Sequence, residues 1–343
     1  MLLKQEIAQQ PDVIRRLLDE GAAATGAVAS AIREFDPVFA CIAARGTSDH
    51  AAIYAQYLFG AALQMPVMLA TPSLHTVYDR SANLSKALVI GISQSGKAED
   101  VRAVLNDARS QGALTLAITN YQDSPLAATG AYHLPLRADE EFSVAATKTY
   151  TAQLTAIAML ATALADDEEM RSGLKKLPGL ATESLALTEG IADWAQRYRY
   201  MDRLTVLGRG FNYATACEIS LKVKELTYIA SEGYSEADFR HGPIAVVQEG
   251  YPVILVAPQG KTFSAMRDIF DAVEEKGAET LVISNDDDLL RAATKAMPIP
   301  AAPEWLSPVV GVIPGQVFAM CQALTRGYEV DKPRGLSKVT ITE

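Results

Sequence analysis

The feature that most limits what this chain can fold into is a pattern that occurs twice. Short apolar runs alternate with helical stretches: PVFACIAA at 37–44, PVMLA at 66–70, ALVIGI at 87–92 and LTLAIT at 114–119, with helices expected over 48–63 and 98–110. Apolar strands without polar alternation, spaced by helices, indicate a parallel sheet covered on both faces. The same landmarks return downstream. Arg45-Gly46 after the first strand matches Arg209-Gly210 after LTVLG, and Gly96-Lys97 matches Gly260-Lys261, both at an offset of 164 residues. Ile118-Thr119-Asn120 matches Ile283-Ser284-Asn285 at 165. Each pair stands at the carboxyl end of an expected strand, so the chain is read as two copies of one doubly wound parallel α/β unit. Ligands in such sheets bind at those strand ends. The expected divisions are a helical arm over 1–34 with a helix at 21–34, a first α/β domain over 35–166, a helical connector over 167–198 with a break at Pro178-Gly179, and a second α/β domain over 199–343.

Composition narrows the function. A chain of 343 residues, 49% hydrophobic and 21% charged, can bury two substantial cores. Its formal charge of −10 argues against a nucleic-acid surface, so an anionic ligand has to be held by a few placed donors. Cys41, Cys217 and Cys321 lack metal-ligand spacing, and the start MLLKQEIAQQ lacks the apolar core of a signal peptide, which together suggest buried thiols in a cytoplasmic protein. No apolar run reads as long enough to span a bilayer; the Ala-rich stretch 151–165 carries Gln153 and several threonines and reads as a packed helix. No His, Cys or carboxylate cluster has ligand spacing, so neither a metal nor another cofactor is expected.

The chemistry concentrates in Cys217–Pro243, CEISLKVKELTYIASEGYSEADFRHGP. Its first half has Ile219, Leu221, Val223, Leu226 and Ile229 at turn spacing, which predicts a helix. On that helix Glu218, Lys222 and Glu225 fall on one stripe, because steps of three, four and seven return to the same face. The second half predicts a loop closed by Gly242 and Pro243, leaving His241 outside regular structure. The alternative is a solvated helix face with ordinary ion pairs and a surface histidine.

A second group of polar residues follows the strand ALVIGI. Ser93-Gln94-Ser95-Gly96-Lys97 leads into a helix opening with Glu99-Asp100, and Thr47 and Ser48 stand in the equivalent place after the first strand. Hydroxyls, an amide and backbone N–H groups at a helix N-terminus suit a small anion such as a phosphate monoester. The alternative is a serine-rich helix cap. Nucleotide binding is rejected: there is no G-x-x-x-x-G-K-[ST], and Gly208-Arg209-Gly210-Phe211-Asn212-Tyr213 lacks the third glycine of a dinucleotide fingerprint. His50, His75, His133 and Lys148 read as structural.

With these motifs in place the chain resembles the double sugar isomerase (SIS) domain family, specifically the isomerase half of glucosamine-6-phosphate synthase and the stand-alone type II glucosamine-6-phosphate deaminases. The resemblance runs through ARGTSDH, GISQSGKAED, EFSVAATKTYTAQL, LGRGFNY, EISLKVKELTYI, EGYSEADFRHGP and the tail DKPRGLSKVT. It implies SIS-type, flavodoxin-like domains, with Ser48, Ser93, Gln94 and Ser95 holding a sugar phosphate beside Thr47, and Val144 and Ala145 lining the sugar. It further implies Glu225 as the proton-shuttling carboxylate, Lys222 as its neighbour, His241 as the group assisting ring opening and Lys338 as a tail lysine closing over the open-chain sugar. In the family that histidine comes from the partner subunit, which implies a homodimer with shared active sites. The chain departs from the synthase pattern at Lys97, Ala98 and Gly335, and a glutamine-hydrolysing domain with its N-terminal cysteine is not expected, since Met1-Leu2-Leu3 offers no such thiol.

Aldose–ketose interconversion moves a proton between C1 and C2, which one carboxylate over both carbons can do, and ring opening suits a histidine titrating near neutrality. Lysines and backbone donors can stabilise the enediol oxygens. If the sugar carries a 2-amino group, the product is a ketose imine that water hydrolyses with release of ammonia. The expected function is therefore an amino-sugar phosphate deaminase/isomerase converting glucosamine 6-phosphate to fructose 6-phosphate. The alternatives are another phosphosugar isomerase, a fructosamine-phosphate deglycase, an ammonia- or glutamine-linked aminotransferase, and a non-catalytic sugar-phosphate sensor. The partners expected are a phosphorylated sugar and a second copy of the chain, without nucleic acid or membrane.

Overall fold

A computed structural model describes residues 1–338 of the chain. Two N-terminal helices, α1 (Leu2–Ala8) and α2 (Gln10–Phe35), precede the first sheet, and α2 begins well ahead of the helix expected at 21–34. Then follow β1 (Phe39–Ala43), α3 (Thr47–Leu63), β2 (Val67–Leu69), α4 (Ser73–Thr76), β3 (Ala87–Ile92), α5 (Glu99–Ser110), β4 (Leu114–Thr119), α6 (Pro125–Thr129) and β5 (Tyr132–Pro135). Helices α7 (Lys148–Ala165), α8 (Glu168–Ala186) and α9 (Ile191–Ala195) lead to the second series. It comprises β6 (Arg203–Gly208), α10 (Phe211–Thr227), β7 (Ala230–Ser235), α11 (Glu236–Arg240), β8 (Pro252–Val256), α12 (Phe263–Glu274), β9 (Glu279–Ser284), α13 (Asp287–Ala292), β10 (Lys295–Pro298) and α14 (Ser307–Thr325).

Both sheets are wholly parallel, and their orders are the same. The first runs β2-β1-β3-β4-β5; the second, taken from its β7 edge, runs β7-β6-β8-β9-β10. Counted within each series, both are 2-1-3-4-5, a doubly wound order whose ligand crevice lies where the first and third strands diverge. The repeat extends to single dihedrals. Gly46 before α3 has φ 56° and ψ −128°, and Gly210 before α10 has φ 58° and ψ −129°. At the other end Gln64 closes α3 in the left-handed region at φ 53°, and Tyr228 closes α10 there at φ 59°. Glycine suits the first position because a Cβ is strained at such angles.

The chain divides into two compact units. One comprises Met1–Pro11, Phe142–Thr147 and Lys176–Leu336; the other comprises Asp12–Glu141, Lys148–Lys175 and the tail residues Ser337 and Lys338. In the unit holding the first sheet, β1, β3 and β4 are buried along nearly their whole length, which is why they read as unbroken apolar runs. One face is closed by Val101, Val104, Leu105 and Ala108 of α5, at helical spacing, with Leu126 of α6. In the other unit Met266, Ile269, Phe270 and Val273 of α12 do the same for β8 and β9.

Three expectations are corrected. The connector is not broken at Pro178-Gly179: α8 runs through both, because Leu174, Leu177, Ala181 and Ser184 form a buried stripe that outweighs the loss of one backbone donor. The stretch Ala230–Ser235 is not a loop but edge strand β7, paired in parallel with β6 despite its polar sequence. Finally, α14 with its preceding turn, Glu304–Thr325, is long and apolar enough to cross a membrane by length and composition, contrary to expectation; 89% of that window is buried inside the protein. Val309, Val310, Val312, Ile313 and Phe318 are core residues.

Candidate active site

In the first-sheet unit, the polar residues that follow β1 and β3 lie at the carboxyl ends of these adjacent strands. Ser93 is buried; its Oγ accepts from Gly96 N at 3.1 Å, while Ser95 Oγ accepts from Lys97 N at 3.3 Å. Gly96 sits at φ 65°, and a Cβ there would collide with the Ser124 side chain. The serines do not cap α5: Ala98 holds that place without a side-chain bond, so the loop is built for its own geometry and the capping alternative falls. Gln94 and Ser95 are half-buried, as is Thr47. Ser48 Oγ accepts from Gln153 Nε2 at 2.9 Å, which orients the hydroxyl from α7. Buried Asp100 receives Arg45 Nε at 2.7 Å and so ties the two loops together.

Lys338, expected over the sugar, pairs in the same unit with Glu141 at 2.7 Å. Glu141 has no exposed side chain and also accepts from Thr149 N at 3.2 Å and Oγ1 at 2.6 Å. Lys148 Nζ donates to Glu140 O at 2.8 Å. The end of the DKPRGLSKVT motif, past Lys338, lies outside the described residues.

The other unit carries the Glu218, Lys222 and Glu225 stripe. Lys222 Nζ lies 3.3 Å from Glu218 Oε1 and 2.5 Å from Glu225 Oε2 on α10. Lys222 and Glu218 have no exposed side chain, whereas Glu225 is 22% exposed, so the solvated-face alternative falls. Burial works against the ammonium, but the two carboxylates outweigh it and hold the Lys222 pKa above the ordinary lysine value. The result is one carboxylate facing outward, its orientation set by a buried cation which a second carboxylate supports. His241 ends α11, exposed, with its N–H donating to Asp238 O at 3.1 Å. Val144 and Ala145 also belong to this unit, half-buried and buried respectively.

Sequence reasoning missed what holds Val144 and Ala145. Glu6 of α1, 3% exposed, accepts from Phe142 N at 2.5 Å and from Ser143 N at 3.3 Å, and it also takes the Ser143 hydroxyl. Asp331 accepts from Leu2 N and Leu3 N at 3.0 and 2.9 Å through its carboxylate, and from Val144 N at 3.1 Å through its backbone carbonyl. These partners are more than 100 residues apart in sequence, and no local pattern announces them. Gln153 falls within the motif EFSVAATKTYTAQL, but nothing local marks it as the partner of Ser48.

Comparison with known proteins identifies the family. The SIS domain model matches residues 30–163 and again 198–326. The chain belongs to the SIS domain family. Among curated relatives it is 34% identical to the glutamine–fructose-6-phosphate aminotransferase (isomerizing) of Thermococcus kodakarensis and 33% identical to that of Aquifex aeolicus, over 99% of this chain in each case. The chain spans 58% and 57% of their lengths. A Silicibacter pomeroyi structure described as a candidate phosphosugar isomerase superposes with a TM-score of 0.85 at 33% identity, covering 96% of this chain and 99% of that one. The C-terminal domain of a glucosamine-fructose-6-phosphate aminotransferase from Francisella tularensis gives 0.89 at 26%, over 97% and 98%. A glucosamine-6-phosphate deaminase from Thermotoga maritima shares this SIS fold at 0.82 and 20% identity, over the whole of both chains.

Proposed function

We propose that this SIS protein interconverts phosphorylated aldoses and ketoses, and that with glucosamine 6-phosphate it isomerises the sugar to a ketose imine, which water converts to fructose 6-phosphate and ammonia. The observation that carries the reading is the Glu218–Lys222–Glu225 arrangement. A lysine without solvent contact, fixed between two carboxylates, leaves Glu225 partly exposed in one orientation, as a group passing a proton between neighbouring carbons needs. In this reading Ser48, Ser93, Gln94 and Ser95 hold the phosphate beside Thr47, Val144 and Ala145 line the sugar, His241 assists ring opening, and Lys338 leaves Glu141 to engage the open-chain substrate. The active protein is a homodimer in which His241 serves the partner's site. The relatives named aminotransferases favour a second reading, amination of fructose 6-phosphate with ammonia or glutamine, in which the same proton shuttle runs in reverse.

The test is incubation of the purified protein with glucosamine 6-phosphate, and separately with fructose 6-phosphate plus ammonia or glutamine, with both products followed. Fructose 6-phosphate and free ammonia from the first mixture support the deaminase direction. Product from the second alone supports the aminotransferase direction. Turnover in neither, at micromolar enzyme, removes both.

A further inference from the structure

The seven-residue helix α1 buries a carboxylate that the proposed chemistry does not use. Leu3, Glu6 and Ile7 stand at steps of three and four and are all buried, so Glu6 lies on the apolar face of the helix. A carboxylate there is costly unless donors replace its water, and a helix this short has no stability of its own to offset the cost. Three donors come from one place: Phe142 N at 2.5 Å, Ser143 N at 3.3 Å and the Ser143 hydroxyl. They belong to the stretch Phe142–Thr147, which has no helix or strand of its own and carries Val144 and Ala145.

The next amide, Val144 N, donates to Asp331 O at 3.1 Å, and the Asp331 carboxylate returns to α1, accepting from Leu2 N and Leu3 N at 3.0 and 2.9 Å. The consecutive N–H groups of Phe142, Ser143 and Val144 are thus all taken, two by α1 directly and one by a residue that α1 itself holds. Helix, stretch and Asp331 close a ring of hydrogen bonds within one compact unit, and the bonds to its two carboxylates are of the stronger, charge-assisted kind. Phe142 is exposed, so its side chain does not anchor the stretch. An apolar side chain at position 6 would pack α1 as well; what a carboxylate adds is to accept from two adjacent amides and a hydroxyl at once, which fixes the backbone leading into Val144 and Ala145.

We propose that Glu6 is a positioning residue for the sugar: through the amides of Phe142 and Ser143 it sets the backbone at Val144 and Ala145, and with it the affinity for the sugar part of the substrate. This rests on the reading above that Val144 and Ala145 line the sugar; the hold of Glu6 on the stretch does not, and stands on its contacts alone. Glu6→Gln keeps the size of the side chain but turns one accepting oxygen into a donor that faces donors.

The experiment uses the full chain, with glucosamine 6-phosphate as the probe and inorganic phosphate, which has no sugar, as the control ligand. Ile269→Ala, a core substitution in α12, is the control for lost stability. Hydrogen exchange of the peptide covering 142–147 reports the backbone directly. In Glu6→Gln that exchange should quicken, and the Kd for glucosamine 6-phosphate should rise about 10-fold or more, as expected when a remote change displaces a binding surface. KM should carry more of the loss than kcat, and the affinity for inorganic phosphate should stay as it was. Ile269→Ala should leave both affinities unchanged. Folded Glu6→Gln with unchanged exchange at 142–147 overturns the proposal, and so does faster exchange with an unchanged Kd for glucosamine 6-phosphate or an equal loss of both ligands. If that variant does not fold, Ser143→Ala, which removes only the hydroxyl among the three donors, is judged by the same criteria. An unsubstituted protein that binds no glucosamine 6-phosphate counts instead against the function proposed above; the exchange of 142–147 then decides the hold of Glu6 by itself.

Discussion

A lysine with no solvent contact is tolerated only when its charge is matched, and Lys222 is matched twice. Removing one member of a buried ion group costs more than the group contributes as a whole, because the remaining charges keep their desolvation penalty without their partner. Lys222→Met should therefore destabilise the protein by about 3–5 kcal/mol, read as a lower denaturant midpoint. Since the folded pKa of Lys222 is raised, its contribution is fully present below the unfolded lysine value, about 10.4, and is lost as the pH climbs through the folded one. The unsubstituted protein should lose stability in strongly alkaline solution, and Lys222→Met should lose less; equal midpoints for the two proteins at neutral pH would contradict this account. Glu225→Gln tests the chemistry separately. The amide keeps the shape, so sugar-phosphate binding should survive while turnover falls by about 10² or more, the scale of a lost acid–base group. Unchanged turnover would take Glu225 out of the mechanism.

At the scale of elements, the β3–α5 turn shows how a sheet order places a polar loop at a strand end. The turn follows β3, whose end lies beside that of β1, and its Gly96 and Lys97 N–H groups donate to the Ser93 and Ser95 hydroxyls, while the cap position of the helix, Ala98, makes no side-chain bond. Gly96 cannot take a side chain without moving the turn. Gly96→Ala forces a side chain into the left-handed region, at a cost of about 1–2 kcal/mol, and into Ser124 as well. The expected outcome is a raised KM for the sugar phosphate with a smaller effect on kcat, and an unaltered KM would show that the loop does not hold the phosphate. This turn was legible in the sequence because strand, glycine and helix start are all local signals. Strand β7 was not: ASEGYS is polar and carries a glycine, and it is a strand because β6 offers a free edge, a condition set elsewhere in the chain. Helix α8 makes the same point in reverse, since its Pro178 reads locally as a stop.

On the scale of the molecule, the proposed homodimer makes a prediction that single-chain variants cannot imitate. If His241 serves the partner's site while Glu225 serves its own, Glu225→Gln and His241→Ala proteins should each be nearly inactive, and mixing them under conditions of subunit exchange should restore activity. Mixed samples that stay inactive after demonstrated exchange would place both residues in the same chain's site. By itself the sequence determined the parallel α/β architecture and its internal repeat, because apolar runs, glycine turns and helical periodicity are local consequences of burial and backbone sterics, while the shared strand order came from the structure. It also located the serine loop and the Glu218, Lys222 and Glu225 stripe. What only the tertiary structure decided was which charges are buried and what they meet. The sequence places a lysine beside two carboxylates but cannot say that water is excluded from it. Nor can it say that Glu6 and Asp331 hold the segment of Val144 or that Lys338 rests on Glu141. Those contacts join residues far apart in the chain, and their strength depends on desolvation, which exists only once the chain has folded.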